Sequence, residues 1–235
     1  MSQVFTARPD DRREADVLMR QLRSINISKV ALVVDGYEPA REAVVAEVLH
    51  AGGIDAQRIS LDPNRASIER ALREVALSGA QGIVLNLGPD SIDWLDQTST
   101  LSHAALPSMV VSVGSVGITQ LARTMGERTL GYTAVVPNPE VSQLPLLRGC
   151  EKAAESVAAE AVTFEGLASY LHMRVVVEAL SRLGGRLEPG RMAAAIESLD
   201  NVDFGGFRLR FGPQRHQGSD YVELGVRTRE GRLRR

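Results

Sequence analysis

Three short, almost unbroken apolar runs frame this chain: residues 30–34 (VALVV), 83–87 (IVLNL) and the MVVSV stretch that follows Pro107. A strand covered by helices on both faces reads this way, without the in-out alternation of a half-exposed strand. Each run leads into a glycine-bearing turn, namely Asp35-Gly36-Tyr37, Asn86-Leu87-Gly88 and Ser112-Val113-Gly114. Helical periodicity fills the intervals. Residues 10–25 place Ala15, Leu18 and Leu22 on one face and leave Arg12, Arg13 and Arg20 to solvent. A second helix opens at Glu38-Pro39, carries Val44, Val45, Val48 and Leu49, and stops at Gly52-Gly53. Residues 54–61 predict a strand, Asp62-Pro63-Asn64 a turn and residues 66–78 a helix. Pro89-Asp90 starts another helix, which contains Trp94; residues 119–125 predict one more, and 133–136 a fifth strand closed by Pro137-Asn138-Pro139.

Strands alternating with helices make the sheet parallel, so the fold class is α/β with a doubly wound parallel sheet. In such a sheet ligands sit beyond the carboxyl ends of the strands. The three turns are therefore expected to line one crevice. After residue 138 the texture changes to alanine-rich helical patterns over 150–161, 164–183 and 191–199, the second ended by Gly184-Gly185. Residues 204–233 alternate as RLRF and YVELGV around Gly212-Pro213, which suggests an antiparallel pair at a sheet edge.

Charge narrows the picture. Among 235 residues the formal net charge is -2 and aromatics make up 4%. Nucleic acid and anionic membranes call for clustered Lys and Arg, so neither is an expected partner. The arginine-rich end, residues 227–235, reads as a solvated tail. Cys150 is the only cysteine, which excludes an internal disulfide. No apolar run approaches the roughly 20 residues of a spanning helix, and MSQVFTARPDD is not a secretion signal.

Candidate chemistry concentrates at the three turns. Asp35 can accept from a ligand ammonium or cap the helix that begins near Glu38. Tyr37 can stack on a ligand and bond through its hydroxyl, or pack at an edge of the lobe. Ser112, Gly114 and Ser115 offer hydroxyls and backbone N–H groups suited to a ligand carboxylate, although turn formation alone explains the glycine. Asn86 and Gly88 complete the set, with Asp90 read as a helix cap and Trp94 as core. His50, His103, His172 and His216 lack metal-ligand spacing, so no metal site is expected. The segment GSVG is not a nucleophile elbow, and neither a P-loop nor a GxGxxG fingerprint occurs. An aspartyl receiver would need an acid where Asn86 stands. No catalytic constellation and no cofactor is expected.

The order of the wound block, then YTAVVPNP, then FEGLASYLHMRVVVEALSRLGG, then FGGFRLRFGPQRHQGSDYVELGVRTREGRLRR, resembles the type I periplasmic solute-binding proteins of branched-chain amino-acid ABC transporters. The most specific part is the stretch from Gly205 to Gly231, with its GG, FGP and HQGSDYV elements. The resemblance implies two α/β lobes that close around an amino acid or related metabolite, delivery to an ABC permease, and a periplasmic or extracellular location. It also implies that about the first third of a usual member has no counterpart here. Members commonly carry a ligand-binding carboxylate on the turn matching residues 112–117 and aromatics on the other two. In this chain those turns read SVGSVG and NLGPD, and Tyr37 is the aromatic that remains.

The resulting expectation divides the chain into a nearly complete ligand-binding lobe (residues 1–138), the helical C-terminal part of the first lobe (139–203) and strands returning to the α/β lobe and hinge (204–235). Non-catalytic capture of a small polar ligand is the expected function. The alternative is a homodimeric interaction or sensory module, in which a second copy covers apolar faces left open around residues 162–183.

Overall fold

The computed structural model describes residues 4–98, 106–114, 118, 120–121, 129–157, 161–184, 189–227 and 233–234. Within them the chain divides into two compact units, one of residues 11–134 and 222–235, the other of residues 1–10 and 135–221.

The first of these is the doubly wound sheet. Its elements are α1 (Asp11–Ser24), β1 (Lys29–Val34), α2 (Pro39–Ala51), β2 (Asp55–Ser60), α3 (Arg65–Leu77), β3 (Gly82–Asn86), α4 (Pro89–Thr98), β4 (Met109–Ser112) and β5 (Thr129–Ala134). The strand order β2-β1-β3-β4-β5 is parallel throughout. The apolar runs are buried on both sides, as their lack of alternation requires. Val30, Leu32 and Val34 pack with Leu18 and Leu22 of α1 and with Val45, Val48 and Leu49 of α2. Val33, Leu85 and Val110 face the other way, toward Ile68, Ala71 and Val75 of α3 and Leu95 of α4. The edge strand β2 buries little besides Ile59. Asn64 caps α3, its side chain accepting from the Ser67 N–H at 3.0 Å.

Three expectations need correction. The fifth strand begins at Thr129 rather than residue 133, because Gly131 interrupts the apolar pattern while fitting against Val111, whose Cγ2 would lie 3.3 Å from an added Cβ. RLRF and YVELGV do not pair with each other. Instead β8 (Glu223–Arg227) runs antiparallel to β5, with Thr133 opposite Leu224, and pairs on its other side with β9 (Leu233–Arg234). At the arginine-rich end, Arg227 and Leu233–Arg234 thus belong to strands that extend the sheet rather than to a plain tail. The expected helix over 119–125 lies largely outside the described residues, as do His103 and the Trp94 side chain.

The second unit contains α5 (Pro145–Glu155), α6 (Phe164–Arg182), α7 (Pro189–Glu197), and the short pair β6 (Val202–Asp203) and β7 (Arg208–Leu209). The helix expected over 150–161 starts earlier, since Pro145 at its first position supplies a preset φ and needs no N–H partner. Thr163 caps α6, its Oγ1 accepting from the Gly166 N–H at 3.0 Å. Phe164, Leu167, Leu171, Val175 and Ala179 are the buried face of α6, while Met173, Val177 and Leu180 are exposed. Gly205 and Gly206 turn the chain at positive φ, both N–H groups donating to Asp203 Oδ1. The His172 ring accepts from the Ala7 N–H at 3.2 Å and anchors the opening segment of the chain within this unit. No described helix is long and apolar enough to cross a membrane.

Candidate functional site

Sheet register brings the three turns to one edge. Val34 is paired with Asn86 and Leu85 with Ser112, so the residues after β1, β3 and β4 emerge side by side at the carboxyl ends. The β1/β3 boundary is where successive connections leave toward opposite faces, since β2 lies on one side of β1 and β3 on the other. A crevice at such a reversal follows from the winding itself.

At this boundary a cleft of about 280 Å³ opens between Asp35, Gly36, Tyr37, Pro63, Gly88, Pro89, Asp90 and Ser91. Asp35 shapes it. One carboxylate oxygen accepts from the Tyr37 N–H at 3.0 Å and the other from the Gly88 N–H at 2.8 Å, locking the β1 and β3 turns together. Gly36 has φ 75°, a conformation that glycine adopts without strain. The Tyr37 ring lies on Gly88, where an added Cβ would come within 2.6 Å of the ring. Tyr37 is nonetheless 59% exposed, so most of the side chain faces solvent. Asp90 is exposed at the first turn of α4, and Ser91 beside it is buried at 1% exposure, its Oγ without a hydrogen-bond partner among the described residues.

The neighbouring stretch of the same edge is filled by the protein's own side chains. Glu14, on the first turn of α1, is 1% exposed. Its Oε1 accepts from the Gly114 N–H at 2.7 Å and from the Thr133 hydroxyl. Gly114 has φ 93°, and a Cβ there would collide with the Arg41 guanidinium. Arg41, 4% exposed, donates through Nε to Asp11 at 3.0 Å and pairs with Glu38.

Of the residues expected to bind ligand, Asp35, Tyr37 and Gly88 therefore converge on one cleft. Asn86 and Ser112 are buried at the strand ends. The Gly114 N–H, expected to be exposed toward a ligand carboxylate, already donates to a buried carboxylate of the protein. Ser115 lies outside the described residues. Asp35 acts as a cross-turn tie rather than as the cap of α2, whose first turn has no side-chain cap. The sequence reading missed Glu14, Arg41 and Ser91. Glu14 was visible in principle, because it stands at i, i+4, i+8 spacing with Leu18 and Leu22 on the buried stripe of α1. The buried Cys150 thiol is pushed above its ordinary range by desolvation first and Glu151 second, the reverse of what an attacking thiolate needs.

A family model described as periplasmic binding protein matches residues 2–226. No curated protein matches the chain significantly. Among solved structures, an extracellular ligand-binding receptor from Verminephrobacter eiseniae ef01-2 superimposes with a TM-score of 0.81 at 25% identity, covering 98% of this chain and 67% of that one. A possible leucine/isoleucine/valine-binding protein from Rhodopirellula baltica SH 1 gives 0.79 at 20% identity, with 96% and 64% covered. An ABC transporter solute binding protein from R. palustris, in complex with 4-hydroxybenzoate, gives 0.77 at 17% identity, with 97% and 64% covered. The chain thus spans about two thirds of the length of these proteins.

Proposed function

The chain belongs to the periplasmic binding protein family, and from that premise we propose that it captures a small polar metabolite, an amino acid or a related compound, without catalysis. The cleft between the β1 and β3 turns is the binding surface, with Tyr37 as its platform and Asp35 and Gly88 as its frame. Delivery to an ABC-type permease, and a periplasmic or extracellular location, go with the same reading. One observation carries it: an exposed tyrosine is held over a glycine at the reversal point of a doubly wound sheet, where solvation alone gives an aromatic ring no reason to be. The relative described as a possible leucine/isoleucine/valine-binding protein and the neighbour holding 4-hydroxybenzoate support ligands of this size.

Thermal melting against amino acids, amines and aromatic acids tests the proposal. A ligand at 100 times its dissociation constant adds about 2.7 kcal/mol to stability. At least one compound is expected to raise Tm in the unaltered protein and to lose that effect in Tyr37→Ala. A flat response across the panel counts against the reading.

A second reading, a homodimeric interaction module, draws on a different observation. Met173, Val177 and Leu180 recur at i, i+4, i+7 along α6 and are exposed, giving the helix an apolar outer stripe as well as a buried one. Light scattering at micromolar concentration is expected to show a dimer if a second copy covers this stripe, and Val177→Lys is expected to split it. A monodisperse monomer argues for the first reading alone.

A further inference from the structure

The opening segment, residues 5–8, is held within the second unit by backbone, ring and side-chain contacts together. The Thr6 N–H donates to the His216 carbonyl at 2.9 Å, and the Thr6 carbonyl accepts from the Gly218 N–H at 2.8 Å. The Phe5 ring lies on the His216 ring, with centroids 4.2 Å apart, and meets Phe211 edge to face. Ala7, 3% exposed, sends its N–H to His172 Nε2 at 3.2 Å. At Asp10 the chain leaves this unit for the other.

The His172 bond admits one protonation state. Nδ1 lies 2.7 Å from the Ala168 carbonyl, which can only accept, so Nδ1 carries a hydrogen. An amide N–H can only donate, so Nε2 offers Ala7 its lone pair. The neutral ring with its hydrogen on Nδ1 meets both demands, and no other form does. A proton added at Nε2 aims a second hydrogen at the Ala7 N–H and turns the bond into a repulsion. The charged groups on the elements around this ring are engaged elsewhere or stand apart from it. On α6, Arg174 lies over the Tyr170 ring and Glu165 stands about two turns earlier; on the opening segment the next charge is Arg8. On the returning stretch Arg215 pairs with Asp220, and His216 Nε2 stands 3.4 Å from Glu197 of α7. Among the described residues none of these charges is bonded to the His172 ring.

We infer that His172 is an acid-sensitive clasp on the opening segment: the neutral ring holds Ala7, and the protonated ring releases it shortly before the chain crosses to the other unit. The hold is complete where the ring is neutral and is lost as pH falls through the range in which histidine changes charge, from about 8 to about 5. The buried Ala7 N–H is then left without its acceptor, a cost that displacement of the segment relieves. His216 responds in the opposite sense, since a proton on its ring strengthens the pairing with Glu197. Acid therefore unfastens the segment at Ala7 and leaves it fastened at Phe5 and Thr6. The clasp does not depend on the β1/β3 cleft being the ligand site.

Amide hydrogen exchange on the full chain, read residue by residue by NMR as protection factors so that the intrinsic effect of pH cancels, tests the clasp. Between about pH 8 and about pH 5 Ala7 is expected to lose about ten-fold in protection, the worth of one hydrogen bond, while Thr6 and Gly218 change by less than about three-fold. His172→Phe removes the acceptor and is expected to give low Ala7 protection at both pH values. His172→Gln supplies an acceptor that does not titrate and is expected to flatten the dependence. His216→Gln is expected to leave the Ala7 dependence in place. Imidazole nitrogen shifts of the unaltered protein are expected to report hydrogen on Nδ1 of His172 at the higher pH. Hydrogen on Nε2 there, Ala7 protection that is the same at both pH values, or a dependence that survives His172→Phe overturns the proposal. An equal loss at Ala7, Thr6 and Gly218 overturns it as well, since the whole unit then opens rather than one clasp.

Discussion

Two stretches of one sheet edge meet the same physical problem and solve it differently. Beside β4 and β5 the described donors are satisfied from inside, with Glu14 accepting from the Gly114 N–H and the Thr133 hydroxyl, and with Arg41 tied to Asp11 and Glu38. After β1 and β3 a single carboxylate, Asp35, ties the turns together and leaves an open cleft beside the exposed Tyr37 ring. Topology supplies a crevice along the whole edge. Which part of it stays open is decided by where α1 delivers a charged side chain.

The comparison breaks most sharply at Glu14. Glu14→Ala strands the buried Gly114 N–H and leaves the Thr133 hydroxyl only its long 3.4 Å contact to the Ser112 carbonyl, so a loss of about 2–4 kcal/mol is expected in urea unfolding. Glu14→Gln keeps the shape and is expected to cost less. An equal and small effect of both would mean that the closed stretch is closed by packing alone. Gly114→Ala comes next, because it meets positive φ and the Arg41 guanidinium together, and about 1–3 kcal/mol is expected.

On the open side the same kind of substitution should barely touch the fold. Gly88→Ala pushes on the Tyr37 ring, which has solvent to move into. A stability change under about 1 kcal/mol is expected, with ligand-induced Tm shifts lost, and a larger destabilisation would show that the ring is structural. Tyr37→Ala is the smallest, within about 0.5 kcal/mol of the unaltered protein when ligand is absent.

How much of this could be read from residues alone follows from what each feature depends on. The strands of the parallel sheet were legible because burial on both faces forces continuous apolar runs such as VALVV, and the turns were legible because Gly36 and Gly88 punctuate them. The start of β5 was hidden by Gly131, whose reason is Val111 on the adjacent strand. The partner of β8 was hidden too, since antiparallel register depends on a strand far away in sequence. Within the candidate site, Asp35, Tyr37 and Gly88 stand together because two turns at the ends of adjacent strands must. Glu14 escaped because a charge on an apolar stripe makes sense only once Gly114 and Thr133 are seen opposite it. Ser91 escaped because an unmet hydroxyl has no signature in a string of letters.

The pairing of β8 with β5 sets an order of events on the ribosome. All five parallel strands leave the exit tunnel before residue 135, yet the outer rim of β5 waits for residues 223–227, after every residue of the second unit has been synthesised. During that interval the nascent sheet carries a raw hydrogen-bonding rim, the kind of surface that recruits other chains or chaperones. A ribosome stalled short of Glu223 would release a product with most of its core and one sticky side.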